Sequence, residues 1–113
     1  MADTNDPIRI LIVDDNPTNL RLLLEVLENR GHTVMVATQG AAALRIATRA
    51  DPDLILLDVA MPEMDGFEVC RRLKDDPSTA PIPVIFLTAR TDESDVITGF
   101  QAGAVDYVVK PFR

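Results

Sequence analysis

Apolar residues along this chain fall into two kinds of block: short unbroken runs, and longer stretches with a helical repeat. Ile10-Leu11-Ile12-Val13, Leu54-Ile55-Leu56-Leu57 and Val84-Ile85-Phe86-Leu87 are continuous, and Val105-Asp106-Tyr107-Val108-Val109 is nearly so. Such runs, with no polar alternation, are expected of strands buried on both faces, as in a parallel sheet covered by helices. Between them, Asn16 is placed to cap a helix with Pro17 at its first position. Leu20, Leu23, Leu24 and Leu27 follow at i, i+3, i+4 and i+7, and Gly31 stands where a left-handed C-cap belongs. Residues 33–37 read as a second strand, 41–50 as a helix of small residues with Leu44 and Ile46, and 66–74 as a third helix. The prolines of 75–81 end that helix, and the fourth strand is expected over 82–87. Thr91 can cap a fourth helix whose first turn carries Asp92, Glu93 and Asp95, the favourable sign for its dipole, and which ends at Gly103. Strict alternation of β and α predicts right-handed crossovers and an α/β, doubly wound fold. A chain of 113 residues makes one domain, 1–113, with its ordered core over about 7–112.

Each main run hands over to a residue that can handle phosphate or metal. Val13 leads into Asp14-Asp15, Leu57 into Asp58, Leu87 into Thr88 and Val109 into Lys110. Ligands of doubly wound sheets bind outside the carboxyl ends of the strands, so these residues are expected to gather on one edge. Singly, each is a weak signal, because an Asp-Asp pair before a helix is more often a turn and a cap. The conjunction carries the information. Clustered carboxylates either share a proton or bind a cation. Mg²⁺ takes oxygen ligands and only one or two carboxylates from the protein. A carboxylate can also attack phosphorus to give an acyl phosphate, with a hydroxyl and an ammonium available to the phosphoryl oxygens. The pattern therefore points to a hard divalent cation, Mg²⁺ or Mn²⁺, and a phosphoryl group.

Charge and composition narrow the choice. A formal charge of −7 counts against non-specific binding to nucleic acid or to an anionic membrane. No segment is apolar for long enough to span a bilayer, and the polar residues 1–7 make no signal peptide. One cysteine closes no internal disulfide, so a cytoplasmic location is the expectation. Cys70, three residues after Phe67 and three before Leu73, reads as a small buried hydrophobe, and His32 as a loop residue with no nucleophile beside it.

At this point the chain resembles the receiver domain of bacterial two-component response regulators. The matching stretches are Ile12-Val13-Asp14-Asp15-Asn16; Leu56-Leu57-Asp58 with Met61-Pro62-Glu63-Met64-Asp65-Gly66; Leu87-Thr88-Ala89; and Gly103-Ala104-Val105-Asp106-Tyr107 with Lys110-Pro111-Phe112. The resemblance implies a five-stranded parallel sheet in the flavodoxin-like order 2-1-3-4-5. It implies that Asp58 accepts a phosphoryl group from a histidine kinase or a histidine phosphotransfer protein. Asp15, Asp58 and the Ala60 backbone carbonyl would hold Mg²⁺, with Asp14 acting mostly through water. Thr88 and Lys110 would contact the phosphoryl oxygens, and Thr88 and Tyr107 would switch the surface read by a downstream effector. Lys110-Pro111 is expected to be a cis peptide. Ala60 and Arg90 occupy positions that tune phosphoryl lifetime in the family. Val105 stands where winged-helix transcription regulators commonly carry an acidic residue, which counts against that output class.

Competing readings are weaker. A phosphatase or phosphotransferase of the haloacid dehalogenase type also uses an aspartyl phosphate, but it wants a second Asp where this chain has Ala60. The five glycines form no G-x-G-x-x-G and no phosphate-binding loop, which disfavours a nucleotide-binding module. A degenerate receiver serving only as an interaction surface would normally have lost an acidic or lysine position, and none is lost. The chain is therefore read as a phosphoacceptor and not as an enzyme turning over a separate substrate. The final helix is expected to be truncated or missing, because the sequence stops at Arg113. That would leave Leu23, Leu27 and Val108 facing water and favour a homodimer or lower stability.

Overall fold

Strand β1 (Arg9–Val13) is the hub of a parallel sheet, pairing with β2 (Thr33–Ala37) on one side and β3 (Leu54–Asp58) on the other. Beyond β3 lie β4 (Val84–Thr88) and β5 (Asp106–Val109), so the strand order is β2-β1-β3-β4-β5, as expected. The computed structural model describes residues 6–88, 93–104 and 106–109. The expectations for Thr91, Arg90, Val105, Lys110 and Pro111, and for the ring of Tyr107, lie outside those residues.

The register explains why unbroken apolar runs were needed. Leu11, Ile55 and Val84 stand side by side across the sheet, as do Val13, Leu57 and Phe86, and all of them are buried. They point into one core with Ala43 and Ala47 of α2 (Gly40–Ala50) and Val69, Cys70 and Leu73 of α3 (Gly66–Asp75). Helix α4 (Glu93–Gln101) closes the same face, where Gly99 meets Phe86 and Phe67. The alternate residues Ile10, Ile12 and Leu87 are buried on the opposite face, on the side of α1 (Pro17–Asn29). Both faces of the central strands must therefore be apolar, which is what erases the period-2 signal.

Local chemistry sets the helix ends. The Asn16 side chain accepts hydrogen bonds from the N–H groups of Thr18 and Asn19, and Pro17 fills the first helical position, where its missing N–H costs nothing. Gly31 follows the C-cap with φ +87°, as its placement predicted. The starts of β4 and α2 differ from expectation. Strand β4 starts at Val84, not at residue 82, because the Ile82 N–H is spent on the Thr79 carbonyl in the preceding turn and Pro83 has no N–H to give. Helix α2 includes Gly40.

The apolar stripe of α1 is the one its spacing predicted. Leu20, Leu23, Leu24 and Leu27 are half-buried and no residue of α1 is fully buried. Leu22 and Val26, one turn apart, are the exposed pair, at 43% and 54%. The expected exposure of Val108 is observed at 43%, whereas Leu23 and Leu27 are half-buried and do not face water as expected. Among the described residues no helix is long and apolar enough to cross a membrane.

Candidate functional site

Three carboxylates meet at the C-terminal edge of the sheet. Asp14 follows the last residue of β1, and Asp58 is the last residue of β3, one position past the Val13–Leu57 pair. Parallel pairing in register therefore sets them side by side, and Asp15 adds a third group. One carboxylate oxygen from each of Asp14, Asp15 and Asp58 lies within 4.8 Å of the others. Asp14 and Asp58 are buried, while Asp15 is exposed.

The two buried groups are held in place by hydrogen bonds. The Asn16 N–H donates to Asp14 Oδ1 at 2.9 Å, and Asn19 Nδ2 donates to Asp14 Oδ2 at 3.3 Å. Asp58 Oδ1 accepts from the Ala60 N–H at 3.3 Å, in the turn that leaves β3. That turn is fixed on both sides, since the Val59 N–H donates to Leu87 O and the Gly66 N–H donates to Val59 O. Glu63, inside the loop, has φ +68°, a left-handed conformation uncommon outside glycine. Gly66 opens α3 so close to β3 that a Cβ there would overlap the Asp58 carbonyl oxygen. Asp65 caps α3 by accepting from the Glu68 N–H.

Thr88 sits on β4 one residue beyond Leu87, the register partner of Asp58, and is buried. It pairs in turn with Val109 of β5. Of the residues proposed from the sequence, then, Asp14, Asp15, Asp58, Ala60 and Thr88 occupy one sheet edge, and Tyr107 lies in β5 beside Phe86 in register. Asn19 and Gly66 were not singled out as site residues. Asn19 carries no local signal as a carboxylate partner, because it looks like any polar residue of a first helical turn. Gly66 had a readable signal, a glycine at a helix start directly after the loop.

The donor set is suited to a hard cation. Oxygens on opposite sides of one Mg²⁺ are about 4.2 Å apart, so a spread of 4.8 Å is a small side-chain rotation from sharing an ion. Burial pushes the Cys70 thiol above its ordinary range, with Lys74 and Arg71 opposing more weakly. The Arg72 hydrogen bond, with help from Arg71, holds the exposed Glu68 carboxyl below the usual value.

Comparison with known proteins identifies the family and the fold. The response regulator receiver domain family matches residues 10–113. The response regulator PleD of Caulobacter vibrioides is 52% identical over 103 residues, which are 91% of this chain and 23% of PleD. The chain thus spans about a quarter of that relative's length. Among solved structures, the chemotaxis protein CheY4 of Vibrio cholerae superposes with a TM-score of 0.91 at 31% identity, covering 96% of this chain and 90% of that one. The receiver domain of the sensor histidine kinase PA1611 from Pseudomonas aeruginosa, with a magnesium ion in its active-site cleft, gives 0.87 at 34% identity, covering 96% and 88%. On the motifs, the fold and the carboxylate edge together, this chain belongs to the response regulator receiver domains of two-component systems.

Proposed function

We propose that this domain is a phosphorylation-dependent switch in which Asp58 is the phosphoacceptor. The observation that carries the reading is the meeting of Asp14, Asp15 and Asp58 within 4.8 Å at the ends of two neighbouring strands. An Asp58 carboxylate oxygen attacks phosphorus, the bond from phosphorus to the donor breaks, and the donor departs with the electron pair. The donor is a phosphohistidine on a histidine kinase or a histidine phosphotransfer protein, and the product is an acyl phosphate. Asp15, Asp58 and the Ala60 carbonyl would hold Mg²⁺ or Mn²⁺, with Asp14 acting mainly through water. Bound there, the ion would supply charge neutralisation for the phosphoryl oxygens.

The remaining roles are those the family resemblance implies. Thr88 and Lys110 contact the phosphoryl oxygens. Thr88 and Tyr107 carry the change to the surface of α4 and β5, where an effector domain or protein reads it. Ala60 and Arg90 set the lifetime, since alanine offers no polar group to place an attacking water in line with phosphorus. The support is the burial of Asp58 and Thr88 at one edge and the register that puts Thr88 next to the partner of Asp58. Incubation with a small phosphodonor and Mg²⁺ should add one acid-stable, hydroxylamine-labile phosphoryl group, and Asp58→Asn should abolish it. Labelling that persists in Asp58→Asn would mean the acceptor is another residue.

A further inference from the structure

Both oxygens of the fully buried Asp14 carboxylate are held by the first turn of α1. The Asn16 N–H donates to Oδ1 at 2.9 Å, and the Asn19 side-chain amide donates to Oδ2 at 3.3 Å. Asn19 is fixed in turn, because its own N–H donates to the Asn16 side chain at 3.2 Å. Asp14, Asn16 and Asn19 therefore close a ring of hydrogen bonds that ties the carboxylate to the helix start.

A helix start usually satisfies itself differently. Asn19 is the third residue of α1, the position from which a Glu or Gln accepts the N–H of the cap residue in a capping box. Here that N–H goes to Asp14, and the third residue is a donor to the same carboxylate. The first turn of α1 carries no acidic residue, although the helix dipole favours one. Asp14 supplies that charge from the end of β1. An acid at position 19 would serve the helix alone, whereas the amide serves Asp14.

We propose that Asn19 sets the ion preference of the carboxylate edge. Pinned at both oxygens, Asp14 is a fixed acceptor. A water carried by an ion can donate to it, but direct coordination would need the carboxylate to swing out of the ring. Asp15, being exposed, can turn to meet an ion. The direct share of the protein is thereby kept to one or two carboxylates, which suits Mg²⁺, an ion that retains several waters. Ca²⁺ takes about 6–8 oxygens in flexible geometry and gains more from an added carboxylate. Without the Asn19 amide, Asp14 can turn and offer that third carboxylate. The proposal rests on the metal-binding part of the proposed function and not on its phosphoryl chemistry. Asn19 is a positioning residue, acting through Asp14.

The test is titration of the whole 113-residue chain, of Asn19→Ala and of Asn19→Leu with magnesium chloride and, separately, calcium chloride, at constant ionic strength. Binding is followed by the amide NMR shifts of Asn16 and Ala60, whose N–H groups donate to Asp14 and Asp58. Alanine suits a helix, and leucine keeps the side-chain volume while removing the donor. The ratio of the Ca²⁺ to the Mg²⁺ dissociation constant should fall about tenfold in both variants, the scale expected when the hydrogen-bond partner of a metal-site group is removed. A purely structural role would weaken both ions alike, so an unchanged ratio would overturn the proposal. A ratio that moves in Asn19→Ala but not in Asn19→Leu would overturn it too, since the donor is absent from both. Should one variant fail to fold, the ratio in the other decides. Wild-type shifts that respond to neither ion would remove the metal site itself, and the proposal with it.

Discussion

Neutralising Asp15 should make the metal-free domain more stable and its response to Mg²⁺ weaker. The three carboxylate oxygens lie within 4.8 Å of one another, so each ionised pair repels by at least about 0.9 kcal/mol in water and about 3.5 kcal/mol at an effective dielectric of about 20. Asp15 is the exposed member, which places its two pairs near the watery limit, for a total of about 2 kcal/mol before screening. Asp15→Asn removes both repulsions, and with salt present about 1–2 kcal/mol of added stability is expected. For a domain of this size that raises Tm by about 5–10 °C. In wild type, Mg²⁺ at about ten times its Kd should itself contribute about 1.4 kcal/mol, and Asp15→Asn should forfeit most of that gain. The assay is thermal melting of both proteins with chelator and across a Mg²⁺ titration, at low and high salt. The gap between the metal-free proteins should narrow as salt rises. An Asp15→Asn protein that melts no higher than wild type in chelator, and is stabilised equally by Mg²⁺, would refute the electrostatic account of this edge.

Ala60→Asn should speed loss of the phosphoryl group from Asp58, measured as decay of label after donor removal; an unchanged rate would show that position 60 does not control lifetime. Gly66→Ala should be severely destabilising, by about 3 kcal/mol or more in denaturant melts, because its Cβ would overlap backbone that cannot swing away. Gly99→Ala has opposing terms: helix propensity gains about 1 kcal/mol, while a Cβ 3.0 Å from Phe86 costs about 1–3 kcal/mol of overpacking, because Phe86 is buried against Phe67. A net loss of about 1 kcal/mol is expected in urea melts, and a gain would show that the aromatic pair yields. Burial raises the Cys70 pKa in the fold, so the neutral thiol's contribution is full below about pH 8.5 and is lost as pH rises through the raised folded value. Stability should therefore fall between mildly and strongly alkaline buffer, and Cys70→Ala should lose less over the same interval.

The strands and the carboxylate edge were legible in the chain because their causes are local. An apolar run shows that a segment is buried, and the residue that ends it stands at a strand end whatever the neighbours are, so Asp14, Asp58 and Thr88 could be named as a set from the pattern alone. The Asn16-Pro17 start and the Gly31 stop of α1 were readable for the same reason, since caps are satisfied within a few residues. Contacts between distant segments were not readable. A glycine within a helix is by itself only a weak helix position, and only the packing shows that Phe86 occupies the space a side chain at Gly99 would need. Nothing near Lys74 in sequence shows that the fold brings the Ala80 and Ile82 carbonyls to its ammonium. Asn19 became a carboxylate partner only because α1 leaves β1 at the angle that returns its first turn to Asp14. Periodicity tells which face of an element is apolar; what lies against that face is decided by how the elements pack.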